Sequence, residues 1–188
     1  MLDCIILGDS IAVGLSQARP DCQVAAVSGI TSERFVQTFG GAARARTAII
    51  SLGVNDGEGA ATADNLRRLR GLVSADVVYW LLTGGNPRAR EAVCAVAERF
   101  GDRLIDAAPL AGQDHVHPDR TGYAQLAIAT GGHGGAVAVQ AHSVQAAQPY
   151  HDFPSPGRVY GAFRGMQVWN GPYNLNGRPT AAWSWLRP

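Results

Sequence analysis

The sequence predicts an α/β protein in which a parallel sheet of five strands carries helices on both faces. Two observations lead to this class. Short apolar runs of strand length alternate with longer segments whose apolar residues recur at helical spacing. This alternation is strict over the first 130 residues, and it is typical of parallel sheets covered by helices on both faces. With 188 residues, 46% of them hydrophobic, the chain can bury the core of one globular domain and carry an appendage.

The strands and helices follow from these runs in chain order. The apolar runs predict strands at residues 2–7, 23–27, 47–52, 77–82 and 103–106. Helical spacing predicts helices at residues 11–18, 32–39, 61–72, 87–100 and 118–129. Two of these helices start at a proline, a residue that suits the first helical turn. They are the helix at Pro87, which follows Asn86, and the helix at Pro118, which follows His117.

The composition changes at Gly131. Residues 131–135 are four glycines and a histidine, which predicts a flexible joint. Residues 149–188 hold eight of the 14 aromatic residues and six of the ten prolines, a composition of neither a disordered segment nor a regular helix. We therefore predict a domain at residues 1–130, followed at 131–188 by the joint and an irregular C-terminal arm. So many rings favour an arm that packs back over the domain or docks on a protein partner.

Charge, hydropathy and cysteine usage narrow the function classes. A net charge of +1 with scattered basic residues does not fit nucleic-acid binding. No apolar run approaches the roughly 18 residues of a membrane span. The first strand begins at Leu2, so we expect no signal peptide, and a protein that is cytoplasmic or carried in a larger particle. Cys4, Cys22 and Cys94 have no metal-binding spacing, and we expect buried free thiols rather than a disulfide.

Two polar segments supply the side chains of nucleophilic catalysis. Gly8-Asp9-Ser10 follows the first predicted strand, and the loop after the fifth strand holds Asp114 and His117. A serine hydroxyl is almost wholly protonated at neutral pH, so it needs a base within reach and a carboxylate that orients the base. Because carboxyl ends of parallel strands share one sheet edge, Ser10, His117 and Asp114 can meet there.

Two further segments at the same edge offer donors for a developing oxyanion. Ser28-Gly29 follows the second strand, and Gly53-Val54-Asn55-Asp56 follows the third. A glycine lets its backbone N–H face a substrate, and an asparagine amide is a neutral donor that does not compete as a base. Such donors are worth about 3 kcal/mol of barrier each when well aimed.

Taken in order, these four segments resemble the motifs of the SGNH (GDSL-type) hydrolase family: a GDS serine, a glycine, a GxND asparagine and a DxxHP histidine. The resemblance covers about residues 1–130, and Gly29 is placed by its position after the second strand rather than by a long match. It implies a three-layer, flavodoxin-like α/β/α sandwich and ester hydrolysis through an acyl-enzyme, without a metal or organic cofactor. In that mechanism Ser10 is the nucleophile, His117 the general base and acid, and Asp114 the residue that orients the imidazole. The N–H groups of Ser10 and Gly29 and the side-chain amide of Asn55 would form the oxyanion hole.

Other interpretations of these residues stay open. Ser10 or Asp9 could simply cap the following helix, and Asp114, His115 and His117 could bind a metal. The favoured function is removal of a small acyl group such as acetate from a polar or carbohydrate substrate. The alternative is a structural or binding component of a larger assembly, for example a phage or phage-like virion, that docks through its C-terminal arm.

Overall fold

The structure is a computed structural model that describes residues 1–39, 41–132 and 159–160. The glycine-rich joint beyond Gly132 lies outside the described residues, as does all of the predicted arm except Val159–Tyr160. The division of the chain into residues 1–130 and 131–188 therefore stays a prediction.

Five parallel strands form the sheet, as predicted. They are β1 (Leu2–Gly8), β2 (Gln23–Val27), β3 (Ala43–Ser51), β4 (Val73–Leu82) and β5 (Arg103–Asp106), and they lie in the order β5-β4-β3-β1-β2. The chain leaves β1 in one direction to form β2 and returns on the other side of β1 to form β3. This reversal opens a crevice at the carboxyl ends of β1 and β3, which is where open α/β sheets bind ligands.

A short sixth strand extends the sheet beyond β2. This strand, β6 (Val159–Tyr160), runs antiparallel to β2 and pairs with Ala26 and Val27. Those two residues are the last of β2, so the pairing lies at the end of the sheet where the loop that carries Gly29 begins.

Helices cover both faces of the sheet and make three layers. The helices are α1 (Ser10–Ala18), α2 (Ser32–Phe39), α3 (Thr62–Leu72), α4 (Pro87–Phe100) and α5 (Arg120–Ala129). One buried cluster joins α2, α3 and α4 to the sheet, and a second joins α1 and α5 to the opposite face. Alternate side chains of each strand point into different layers, so that the strands have apolar residues on both faces.

Three elements begin two or more residues away from their predicted starts, and the other boundaries agree to within one residue. Strands β3 and β4 begin at Ala43 and Val73, which pair with each other, rather than at residues 47 and 77. Backbone pairing does not require apolar side chains, so the apolar runs mark only the buried part of each strand. Helix α5 begins at Arg120 because the side chain of Asp119 accepts a hydrogen bond from the N–H of Gly122, while Pro118 forms a bridge with Ala111.

The expectation of free thiols was wrong for two of the three cysteines. Cys4 and Cys22 form a disulfide with Cα atoms 4.5 Å apart, whereas Cys94 is free. Ile5 of β1 pairs with Gln23 of β2, and this register places the two preceding residues, Cys4 and Cys22, side by side. Sequence spacing did not reveal this pair because it arises from lateral strand pairing.

Within the residues that the structure describes, no helix combines the length and the hydrophobicity needed to span a bilayer.

Candidate active site

Three polar side chains form a hydrogen-bonded chain at the carboxyl edge of the sheet. Ser10 is the first residue of α1 and is separated from β1 by Asp9 alone, while Asp114 and His117 lie on the loop between β5 and α5. The Ser10 Oγ atom lies 2.7 Å from His117 Nε2, and His117 Nδ1 lies 2.6 Å from Asp114 Oδ2. The structure thus brings together the three side chains that the sequence predicts to act together.

The carboxylate of Asp114 determines the useful tautomer of the imidazole. Partial burial by itself raises the pKa of Asp114. The hydrogen bonds that its carboxylate accepts from the N–H of Val116 and from the N–H and imidazole of His117 lower the pKa by more, so it lies below its ordinary value. An ionised Asp114 can only accept hydrogen bonds, so His117 Nδ1 carries the proton that they share. The Nε2 lone pair then faces the Ser10 hydroxyl and can accept its proton.

Hydrogen bonds between its own backbone and Asp114, and close packing against Gly84, stabilise the loop that carries the imidazole. Asp114 Oδ1 accepts hydrogen bonds from the N–H groups of Val116 and His117, at 3.0 and 2.9 Å. His115, between Asp114 and Val116, is exposed and adopts a left-handed conformation with a φ of 59°. A Cβ atom at Gly84 would lie 2.5 Å from the carbonyl oxygen of His115, so the loop after β4 can pack here only with glycine. Gly84 was not predicted as a site residue, although Gly84-Gly85 follows the fourth strand at the same sheet edge.

The residue before the nucleophile, Asp9, caps α1. Its side chain accepts hydrogen bonds from the N–H of Ile11 and from the hydroxyl of Ser51, both at 3.0 Å. Gly8 makes this turn possible, because a Cβ atom there would lie 1.7 Å from the carbonyl oxygen of Ser51. Asp9 is therefore the cap, and the Ser10 hydroxyl is left to contact His117.

Two of the three predicted oxyanion donors lie on adjacent loops. Gly29 is exposed after β2 with a φ of 73°, and Asn55 is exposed after β3. The side-chain amide of Asn55 donates a hydrogen bond of 3.0 Å to the carbonyl oxygen of Ile30, so the two loops are joined directly. The N–H of Ser10 belongs to the first turn of α1, where a helix offers no internal acceptor. All three donors thus lie on loops or helix starts at the carboxyl edge of the sheet.

The alternative of a metal site on the imidazole loop is not supported by the positions of its side chains. Among the residues that the structure describes, only Cys4, Asp21 and Cys22 bring three ligand atoms close together, and the two sulfurs are bonded to each other. Both ring nitrogens of His117 are already engaged, by Ser10 and by Asp114.

Fold and side chains together define an α/β protein with a Ser–His–Asp chain at its sheet edge, the geometry that serine hydrolases use. Among solved structures, a member of the lipolytic protein G-D-S-L family from Veillonella parvula DSM 2008 is similar, with a TM-score of 0.51 and 16% identity over 69% of this chain and 97% of that one. A protein assigned as an arylesterase from Agrobacterium tumefaciens str. C58 matches with a TM-score of 0.47 and 16% identity, over 69% of this chain and 96% of that one. No protein-family model and no curated protein sequence matches the chain.

The likeness to the Veillonella protein confirms the predicted fold. Because the two chains share only 16% of their residues, the likeness concerns the fold and not the reaction or the substrate.

Proposed function

We propose that this protein is a serine ester hydrolase that works through an acyl-enzyme. The observation that carries the proposal is the unbroken chain from Ser10 Oγ through His117 to Asp114, with contacts of 2.7 and 2.6 Å. Such a chain turns an inert hydroxyl into a nucleophile, since it removes the proton as the oxygen attacks.

In the acylation step, Ser10 Oγ attacks the ester carbonyl carbon while its proton passes to His117 Nε2. Asp114 accepts the Nδ1–H hydrogen bond and stabilises the imidazolium that forms. The carbonyl oxygen becomes an oxyanion, which the N–H groups of Ser10 and Gly29 and the amide of Asn55 would bind. The intermediate then expels the alcohol, which takes the proton from His117, and the acyl group stays on Ser10.

Deacylation repeats these transfers with water as the nucleophile. His117 takes a proton from the attacking water, the same donors bind the second oxyanion, and the collapse of the intermediate releases the carboxylic acid. The proton on His117 returns to Ser10 Oγ, which restores the starting state.

The surroundings of the site favour a small acyl group such as acetate on a polar or carbohydrate alcohol. Among the described residues the exposed large apolar side chains are Met1, Phe100, Leu104 and Ile128. Met1, Phe100 and Leu104 lie at or just before the starts of β1 and β5, at the sheet edge opposite Ser10. Ile128 lies in the last turn of α5. A long acyl chain would find no large exposed apolar side chain beside the nucleophile in the described part of the chain.

Replacement of the nucleophile tests the proposal. We expect Ser10→Ala to lower the hydrolysis of p-nitrophenyl acetate by about 10⁴-fold or more, with an unchanged melting temperature. Ser16→Ala is the matched control, because this serine lies in the same helix and its hydroxyl donates a hydrogen bond to the carbonyl oxygen of Val13 in the same helix. A fluorophosphonate should label the wild type at Ser10. Full activity of the Ser10→Ala variant would refute the proposal.

The same assay tests the role of the carboxylate. In Asp114→Asn the amide would donate to His117 Nδ1, which places the remaining ring proton on Nε2 and prevents it from accepting the serine proton. We expect a fall in kcat of about 10⁴-fold. The control is His115→Asn, which keeps a residue that tolerates the left-handed conformation and should retain activity within about threefold. Equal losses in the two variants would count against a triad.

A panel of acetylated sugars and p-nitrophenyl esters of increasing chain length would identify the substrate. We expect kcat/KM to be highest for acetyl esters and to fall as the acyl chain lengthens. If Ser10 stays unlabelled and no ester is cleaved, the alternative of a binding component in a larger assembly is favoured instead.

A further inference from the structure

Asp56 is a buried carboxylate next to the proposed oxyanion hole for which the mechanism above has no use. It follows Asn55 directly and is only 8% exposed. Its two oxygens accept three hydrogen bonds, from the N–H of Ser32 at 2.7 Å, the hydroxyl of Ser32 at 2.5 Å and the hydroxyl of Thr62 at 2.6 Å. All three donors belong to the first residues of α2 and α3, where helix dipoles favour a negative group.

These contacts join the two loops that carry the oxyanion donors. Ser32 ends the loop that holds Gly29, whereas Asp56 lies in the loop that holds Asn55. The bond from the Asn55 amide to Ile30 connects the same two loops a second time. The side chain of Asn65 donates to the Ser32 hydroxyl at 3.0 Å, so that this hydroxyl is directed toward Asp56.

A third loop holds the Asn55 loop from the other side. The side-chain amide of Asn86, which follows β4, donates to the carbonyl oxygens of Asp56 at 3.0 Å and Gly53 at 3.3 Å. The backbone of residues 53–56 is thereby bound at both of its ends, and its one exposed polar side chain is that of Asn55.

We propose that Asp56 is the positioning residue of the oxyanion hole. Through Ser32 it holds the loop that carries the Asn55 amide against the start of α2, and it contacts no substrate itself. The inference rests on the proposed ester hydrolysis. It predicts that the loss of Asp56 acts on the transition state through Asn55, because donors aimed at an oxyanion lose most of their effect when displaced by about 1 Å.

The test is a double-mutant cycle on the full-length protein with p-nitrophenyl acetate as substrate. We expect Asp56→Ala to lower kcat by about 10²-fold with KM within about threefold, the loss typical of a removed oxyanion donor. In an Asn55→Ala background the same change should lower kcat by less than about threefold, because its effect passes through Asn55. Asp56→Asn keeps one acceptor oxygen for the Ser32 N–H and should recover most of the activity.

Two controls separate positioning from loss of stability. The side chain of Asp102 is also buried, but it accepts hydrogen bonds from Arg70 and Trp80 at the opposite edge of the sheet, so Asp102→Asn should lower the melting temperature and leave kcat unchanged. If Asp56→Ala does not fold, Ser32→Ala removes one of the three bonds and should lower kcat by about three- to tenfold.

The outcomes distinguish this inference from the proposed function. Fully additive effects of Asp56→Ala and Asn55→Ala, or an unchanged kcat in folded Asp56 and Ser32 variants, would overturn the positioning role while Ser10-dependent hydrolysis stands. A wild-type protein without Ser10-dependent hydrolysis would overturn both.

Discussion

Because the buried side chain of Asp9 caps α1, the hydroxyl of the next residue, Ser10, is not needed as the cap. Asp9 caps α1 and binds Ser51, so the Ser10 hydroxyl contacts His117 and not the helix backbone. Complete burial raises the pKa of Asp9 to about 6, although the hydrogen bonds from Ser51 and Ile11 and the nearby His117 lower it. Its second oxygen, Oδ2, has no hydrogen-bond partner among the described residues, which is consistent with a carboxyl group that is costly to ionise in the fold.

This raised pKa predicts a pH dependence of stability. The folded protein holds the Asp9 proton up to about pH 6, whereas the unfolded chain releases it near the ordinary aspartate pKa of 3.8. Between about pH 4 and 6, folding therefore takes up a proton at Asp9. As pH rises through this range, the contribution of Asp9 to the free energy of unfolding falls by on the order of 3 kcal/mol. Asp9→Asn should lack this fall, so relative to the wild type it should gain stability from pH 4 to 6. Urea unfolding of both proteins across this range measures the difference, and parallel curves would contradict the prediction.

The strands and helices are joined by polar groups as well as by the apolar layers. Arg19 at the end of α1 is buried, and its guanidinium donates to the carbonyl oxygen of Thr130 at the end of α5 and pairs with Asp21. The disulfide between Cys4 and Cys22 joins β1 to the start of β2. Both contacts connect elements that are neighbours in the fold and lie on or beside the face that carries α1 and α5.

The disulfide is expected to contribute measurably to stability. It closes a loop with a sequence separation of 18 residues, for which the loss of unfolded-chain entropy corresponds to about 3 kcal/mol. The double variant Cys4→Ser, Cys22→Ser should lose about this much free energy of unfolding in urea. Cys94→Ser removes a free, half-buried thiol and should lose less than about 1 kcal/mol. Equal stability of the wild type and the double variant would show that the bond does not form in the native protein.

At the scale of the whole molecule, the strand order determines where the chemistry can take place. With β1 and β3 adjacent, the loops after β1, β2 and β3 are neighbours, and the loop after β5 reaches Ser10 through His117. The two buried clusters hold this sheet between helical layers, so the loops extend from a rigid scaffold. Sites built on such a scaffold keep the sub-ångström alignment that an oxyanion hole requires.

All of the proposed site residues, and all of the described residues of both apolar layers, lie within residues 1–132, which predicts that this part of the chain folds alone. A protein that ends at Gly132 should keep a cooperative thermal transition and Ser10-dependent hydrolysis of p-nitrophenyl acetate. The described contact that it would lose is the pairing of β6 with the last two residues of β2. Circular dichroism and the hydrolysis rate, compared with the full-length protein, provide the measurement. A truncated chain without cooperative unfolding would show instead that the C-terminal arm completes the core.

The class of fold, and the side of the sheet on which the polar motifs meet, could be predicted from the amino-acid sequence. Apolar periodicity is a local property that follows from the geometry of strands and helices, so it can be read without knowledge of the folded chain. Strict alternation implies parallel strands, and parallel strands bring all of their carboxyl ends to one edge. Ser10, Asn55 and His117 could therefore be assigned to the same edge from their positions after predicted strands.

Which side chains meet at this edge, and in what geometry, depends on how the folded chain packs. The Cys4–Cys22 bond depends on the register between β1 and β2, which no local pattern encodes. The capping role of Asp9 depends on Ser51 of β3, and the contacts of Asp56 depend on the start of α2. These partners are separated along the chain and become neighbours only when the layers pack, because lateral register and side-chain contact are properties of the folded molecule.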